Sequence, residues 1–232
     1  MKKALRNSVT AIWMGWIGLG IIAKANEPDA KPNFFVCVHN YARVPSNTMN
    51  DAEKVAKRIF EQAGVETTWM DFVPSSADAL AGKTPCASTL PRMYVNLVDH
   101  YPSYSLAGNV LGLAPGTDED GERQNVYVFE QVADKMVQQQ QIAVRSDILG
   151  HAMAHEIGHV LAHVTKHSPT GLMKANWQRE DFRAMVMCSL NFNSEQASRI
   201  REEVSRRTRE QALLQLAANS QEITAEKGSK GQ

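Results

Sequence analysis

The chain has 232 residues with 25 basic and 25 acidic side chains, enough for one domain built on a single core. That balance, with no stretch in which basic and aromatic residues interleave, argues against a nucleic-acid partner. Three cysteines without a Cys-x-x-Cys pair argue against a zinc ribbon or a thioredoxin-like redox site.

Lys2, Lys3 and Arg6 precede an uncharged, mostly apolar run from Val9 to Ala23, which closes on Ala23-Lys24-Ala25. This is the pattern of a signal peptide with an A-x-A cleavage site. The run is shorter than the roughly 20 apolar residues of a membrane span. Residues 1–25 are therefore expected to be removed on export to a periplasmic or extracellular compartment, with no stable membrane association afterwards. Without them the chain carries 21 basic against 25 acidic residues. In an oxidising compartment Cys37, Cys86 and Cys188 allow one disulfide and leave one thiol, and the sequence does not say which two pair. Residues 26–33 form a short leader, too short for an inhibitory propeptide.

The folded domain is expected over 34–217. Phe34 to Tyr41 is rich in aromatic and β-branched residues and predicts a strand. Ala52, Val55, Ala56, Ile59, Phe60 and Ala63 then recur at helical spacing. Asn50 with Glu53 resembles a capping box for that helix, and Gly64 stands where a left-handed residue would end it. Val65 to Phe72 predicts a second strand, a Ser/Ala/Gly/Pro-rich loop runs to about Leu90, and Met93 to Asp99 predicts a third. Leu106 to Ala114 carries Gly108 and Gly112 among apolar residues, which predicts an exposed edge strand. After an acidic turn at 116–122, Val126 to Phe129 predicts a further strand, followed by a Gln-rich break at 138–141. Val144 to His163 predicts a helix with Met153, Ile157, Val160, Leu161 and Val164 on one core-facing stripe. A turn at 168–171, a short segment and a helix from Ser194 follow. Residues 218–232 are polar and predict a disordered tail. This order implies an α+β domain with a mixed sheet backed by helices.

His155-Glu156-Ile157-Gly158-His159 is the segment that carries chemistry. Residues i and i+4 of a helix share a face one turn apart, so both imidazoles can reach one zinc ion at about 2.0–2.1 Å. Glu156 lies beside that ion and is placed to act as general base toward a water whose pKa the zinc lowers. Histidines stand at 151, 155, 159, 163 and 167. On a straight helix His155 and His163 are about 12 Å apart along the axis, too far to share an ion, and the same holds for His151 and His159. His167 follows the end of the helix, where a loop can fold back. His155, His159 and His167 with an open fourth position are the ligand set expected of a catalytic zinc.

His155-Glu156-Ile157-Gly158-His159 with His167-Ser168 and Gly171-Leu172-Met173 resembles the metzincin metallopeptidases, in particular bacterial secreted proteins with an H-E-I-G-H…H-S-x-x-G-[IL]-M stretch. The chain departs from the metzincin pattern H-E-x-x-H-x-x-G-x-x-H at Ala162 and Thr165. Its third histidine comes two residues later, which requires a longer loop that turns at His163. The resemblance implies a zincin-like fold with an active-site helix and a C-terminal helix, peptide-bond hydrolysis, and a Met-turn methionine at Met173. Lys174 stands where some metzincins carry a tyrosine.

Two other readings stay open at this point. In a thermolysin-like hydrolase, Glu180 would supply the third ligand. In a non-catalytic zinc-binding or interaction module of the same fold, Glu156 would have no role. For a peptidase, the expected partner is a peptide or protein chain laid as an added strand along Gly108, Asn109, Val110 and Leu111, with glycine allowing close approach.

Overall fold

A computed structural model describes residues 31–73, 86, 88–100, 110–115 and 124–229. All of them belong to one compact unit. The expected signal peptide, most of the expected leader, the loop after Val73, Gly108 and Asn109, and the acidic turn at 116–122 lie outside the described residues.

A five-stranded sheet forms the centre, built from β1 (Asn33–Asn40), β2 (Glu66–Phe72), β3 (Arg92–Val98), β4 (Gly112–Leu113) and β5 (Asn125–Phe129). The strands lie in the order β2-β1-β3-β5-β4. Pairings β1–β2, β1–β3 and β3–β5 are parallel, whereas β4 runs antiparallel to β5 at the sheet's edge. Parallel strands need both faces covered, so their apolar residues are buried on both sides. On one face Val36, Val38, Val95, Leu97, Val126 and Val128 join a core with two helices, α1 (Ser46–Gln62) and α3 (Arg145–Leu161). On the other, Phe35, Cys37 and Tyr94 cluster with Cys86 and Leu90.

Cys37 and Cys86 form the disulfide, and Cys188 is the free, exposed thiol. Closing a loop with a sequence separation of 49 removes unfolded-chain entropy worth about 4 kcal/mol on the chain-entropy account.

Several boundaries differ from the sequence reading. Helix α1 begins at Ser46 after Pro45, so Asn50 lies inside it and caps nothing. Pro45 is the N-cap residue, and its carbonyl accepts a bond from the Met49 N–H at 3.0 Å. Gly64 is left-handed at φ +83°, as expected. Between β5 and the Gln-rich break the structure holds a helix, α2 (Glu130–Gln140), that the sequence reading lacks. Arg145 ties it to α3 through Glu130 and Asp134, and it stops at Gln141, which is left-handed at φ 51°. Residues 179–186 form a short helix, α4 (Arg179–Val186).

The last helix, α5 (Ser194–Ser229), has 36 residues. It continues through most of the segment whose polarity predicts a disordered tail. Ala217, Ala218, Glu222 and Ala225 are strong helix formers and can sustain a helix without a core to bury. Leu213, Leu214 and Leu216 are exposed on it. Among the described residues no helix is long and apolar enough to cross a membrane.

Among the described residues the architecture is thus a mixed α/β domain of five strands and five helices. Its most buried helix, α3, passes the sheet's antiparallel edge.

Candidate metal centre

Helix α3 is buried on every side from Ile148 to Leu161. The sequence reading gives it an apolar stripe and a polar face. Here the polar face is buried as well, with His151, His155, Glu156 and His159 exposing 0%, 7%, 6% and 8% of their surface. Four ionisable groups in the interior of one helix need specific partners, since a buried polar group without one costs about 1–3 kcal/mol.

His155 places Nδ1 2.8 Å from the Leu172 carbonyl, and His159 places Nδ1 2.7 Å from the Val164 carbonyl. A carbonyl only accepts, so each Nδ1 carries the proton and donates it, and each neutral ring presents a lone pair at Nε2. These two Nε2 atoms are 3.0 Å apart, and His167 brings its own Nε2 to 3.3 Å from that of His159. All three donor atoms lie within 4.8 Å of one another. Lone pairs so placed repel unless a cation sits between them. Two nitrogens bound at about 2.05 Å to one tetrahedral ion stand about 3.3 Å apart. The residues present therefore fit a metal ion, and the bonds to Leu172 and Val164 are the outer contacts that fix tautomer and ring orientation in such sites. Burial above all pushes His155 down to about 3, with help from its neighbours His159 and His167, so the ring stays neutral and able to ligate.

The second ligand loop is built by anchoring. The helix ends at Leu161, and the chain reverses at His163, which is left-handed at φ 51°. His163 then pairs with Glu203 of α5 at 3.1 Å, and Gln196 of α5 donates to Ser168 Oγ at 2.6 Å. Both contacts flank the segment that carries the Val164 carbonyl and His167.

Below the histidines, Gly171-Leu172-Met173-Lys174 forms a tight turn closed by Lys174 N–H to Gly171 O at 3.3 Å. Met173 is fully buried, and a Cβ on Gly158 would stand 2.9 Å from its sulfur. The methionine thus packs directly against α3 at the residue before His159, with Gly158 leaving it room. Leu172 O takes a second bond from Trp177 Nε1 at 3.2 Å, and the Trp177 ring stands edge-on to His155 with centroids 5.8 Å apart.

Glu156 lies next to the three histidines in a cleft of about 630 Å³ bounded by β4, Met136 of α2, Ala152, Lys174 and Trp177. Burial pushes its carboxyl up to about 8. No family model matches the chain, and neither does any curated protein.

The structure brings His155, His159, His167, Glu156 and Met173 together as the sequence reading expects. Glu180 is exposed at the start of α4 and is not among the cleft's residues. His151 is buried and hydrogen-bonded locally, within its own helix. Its Nδ1 is 2.7 Å from Asp147 O, and its Nε2 is buried with no partner among the described residues.

Of the expected substrate edge, Val110 and Leu111 line the cleft. Leu111 O accepts from Phe129 N at 2.8 Å, so Leu111 points its backbone groups at β5 and not outward. In an antiparallel pair these directions alternate, which turns those of Gly112, opposite Val128, away from the sheet. A Cβ at Gly112 would meet Glu156 first among side chains. The carbonyls of Leu172 and Val164, the α5 anchors and the wall formed by Met136 were beyond sequence reasoning. The spacing Ala133, Met136, Val137 was the one signal for the last of these.

Proposed function

We propose that this chain is an exported zinc-dependent peptidase of the metzincin kind. The observation that carries the reading is the convergence of three imidazole nitrogens beside a buried carboxyl at the floor of an open cleft. His155, His159 and His167 would hold the ion. Zinc, when bound, supplies a Lewis acid that polarises a carbonyl and acidifies water.

The remaining chemistry belongs to the chain's own side chains. Glu156 is the general base: its carboxylate takes the proton of the attacking water and passes it to the leaving amine nitrogen. A base that titrates near the working pH serves both steps, and burial moves Glu156 in that direction. The substrate backbone is read by the edge groups of Val110 and Gly112, which offer an added strand its donors and acceptors. The apolar walls exclude water from the reacting bond. The Cys37–Cys86 disulfide supports an oxidising compartment and hence export.

A zinc titration of the metal-stripped protein tests the reading. Hydrolysis of unstructured peptides should rise to a plateau at one equivalent of zinc and vanish on chelation. Full zinc loading with no cleavage across a broad peptide library would leave the non-catalytic module as the answer.

A further inference from the structure

Gly112 sits where the sheet's edge crosses the active-site helix. A Cβ built there would lie 2.6 Å from Glu156 Cγ, 2.7 Å from Glu156 Oε1 and 2.6 Å from the Tyr127 carbonyl. Packed carbon atoms approach to about 3.5–4.0 Å, so no residue with a side chain fits unless Glu156 or β4 moves. Glu156 itself has little room to yield, being 6% exposed on a helix buried on all sides. From the other side, β4 is held to β5 by the Gly112–Val128 and Leu113–Tyr127 pairings and by the Leu111–Phe129 hydrogen bond. The bare Cα of Gly112 is thus the surface against which the Glu156 side chain rests.

We infer that Gly112 is a positioning residue for Glu156: the missing side chain lets the edge strand lie flush on the carboxylate arm and fixes its direction into the cleft. The inference rests on the catalytic reading for its consequence in turnover, but the steric coupling it asserts is independent of that reading. Gly112 acts through Glu156: the three atoms nearest an added Cβ belong to Glu156 and Tyr127, and none to a histidine. A side chain at 112 should therefore spare the metal and disturb the proton transfer.

The test is a double-mutant cycle in the full mature protein with Gly112→Ala, Glu156→Ala and the pair, followed by zinc content, thermal midpoint and peptide kinetics. Gly112→Ala should keep one equivalent of zinc and lose kcat by about a hundredfold, the size of effect expected from a small misplacement of a reacting group. KM should stay level, because alanine keeps the backbone N–H that meets the substrate. The fall in Tm caused by Gly112→Ala should be markedly smaller once Glu156 is already alanine. Equal falls in both backgrounds, failure of the pair to fold, or a wild-type kcat in Gly112→Ala would each overturn the proposal, the first two by showing that the Tyr127 contact alone makes position 112 intolerant. Were the wild-type protein to cleave no peptide, the catalytic reading would fall while the Tm comparison still decided the coupling.

Discussion

At the scale of single residues, the pair His155 and His159 and the carboxyl between them were legible because helical geometry is local. A spacing of four puts two side chains on one face whatever surrounds the helix. His167 was legible only as a residue beyond the helix end. What brings its Nε2 to 3.3 Å from that of His159 is the reversal at His163 and two bonds to the last helix, His163 to Glu203 and Ser168 to Gln196, and no local pattern encodes those. The three-histidine set makes a direct prediction. His167→Ala should weaken zinc binding by more than the roughly 10–100-fold that losing a ligand's hydrogen-bond partner costs. Glu180→Ala and His151→Ala should hold zinc at full strength. Competition titrations with a chromophoric chelator would check this, and loss of zinc in Glu180→Ala with retention in His167→Ala would revive the thermolysin-like arrangement.

At the scale of elements, the strands and the two central helices followed from composition and period. Helix α2 did not, because its apolar residues are few and its best-buried one is the small Ala133. Its polar surface reads as a break. The tail beyond 218 misled in the opposite sense, since low hydrophobicity predicts disorder while helix propensity acts regardless of burial. Of the edge strand expected over Leu106 to Ala114, the described residues hold Gly112–Leu113 as a strand at the sheet's margin, and the direction of its backbone groups depends on pairing register with β5 and is not written in the strand's own residues. That register now sorts the positions. Val110→Pro removes a donor from the proposed substrate edge and should lower turnover of long peptides by about two- to tenfold, the worth of one backbone hydrogen bond, with zinc affinity level. Steady-state kinetics on a peptide long enough to pair with the whole edge is the check, and an unchanged rate would mean that substrate approaches from the Met173 side.

At the scale of the whole molecule, stability and chemistry draw on different groups, so they should separate with pH. Glu53 on α1 has a buried oxygen without a partner among the described residues. Burial first, then the nearby Asp71, pushes its carboxyl from 4.5 up to about 7. A raised folded-state value means that the native protein binds this proton more tightly than the unfolded chain does. The associated stability is complete below pH 4.5 and is lost as pH rises through 7. Glu53→Gln, which stays neutral, should melt at the same temperature as wild type near pH 4.5 and higher than wild type at pH 8. A difference that does not change over that interval would refute the assignment. Whether Glu156 moves protons at a three-histidine zinc site is tested most directly by one comparison: zinc content and peptide hydrolysis measured together on wild type and Glu156→Gln. The variant should hold one zinc per chain and lose about 10²–10⁴-fold in kcat, the range a general base contributes. Loss of zinc in Glu156→Gln, or undiminished hydrolysis with zinc in place, would contradict it.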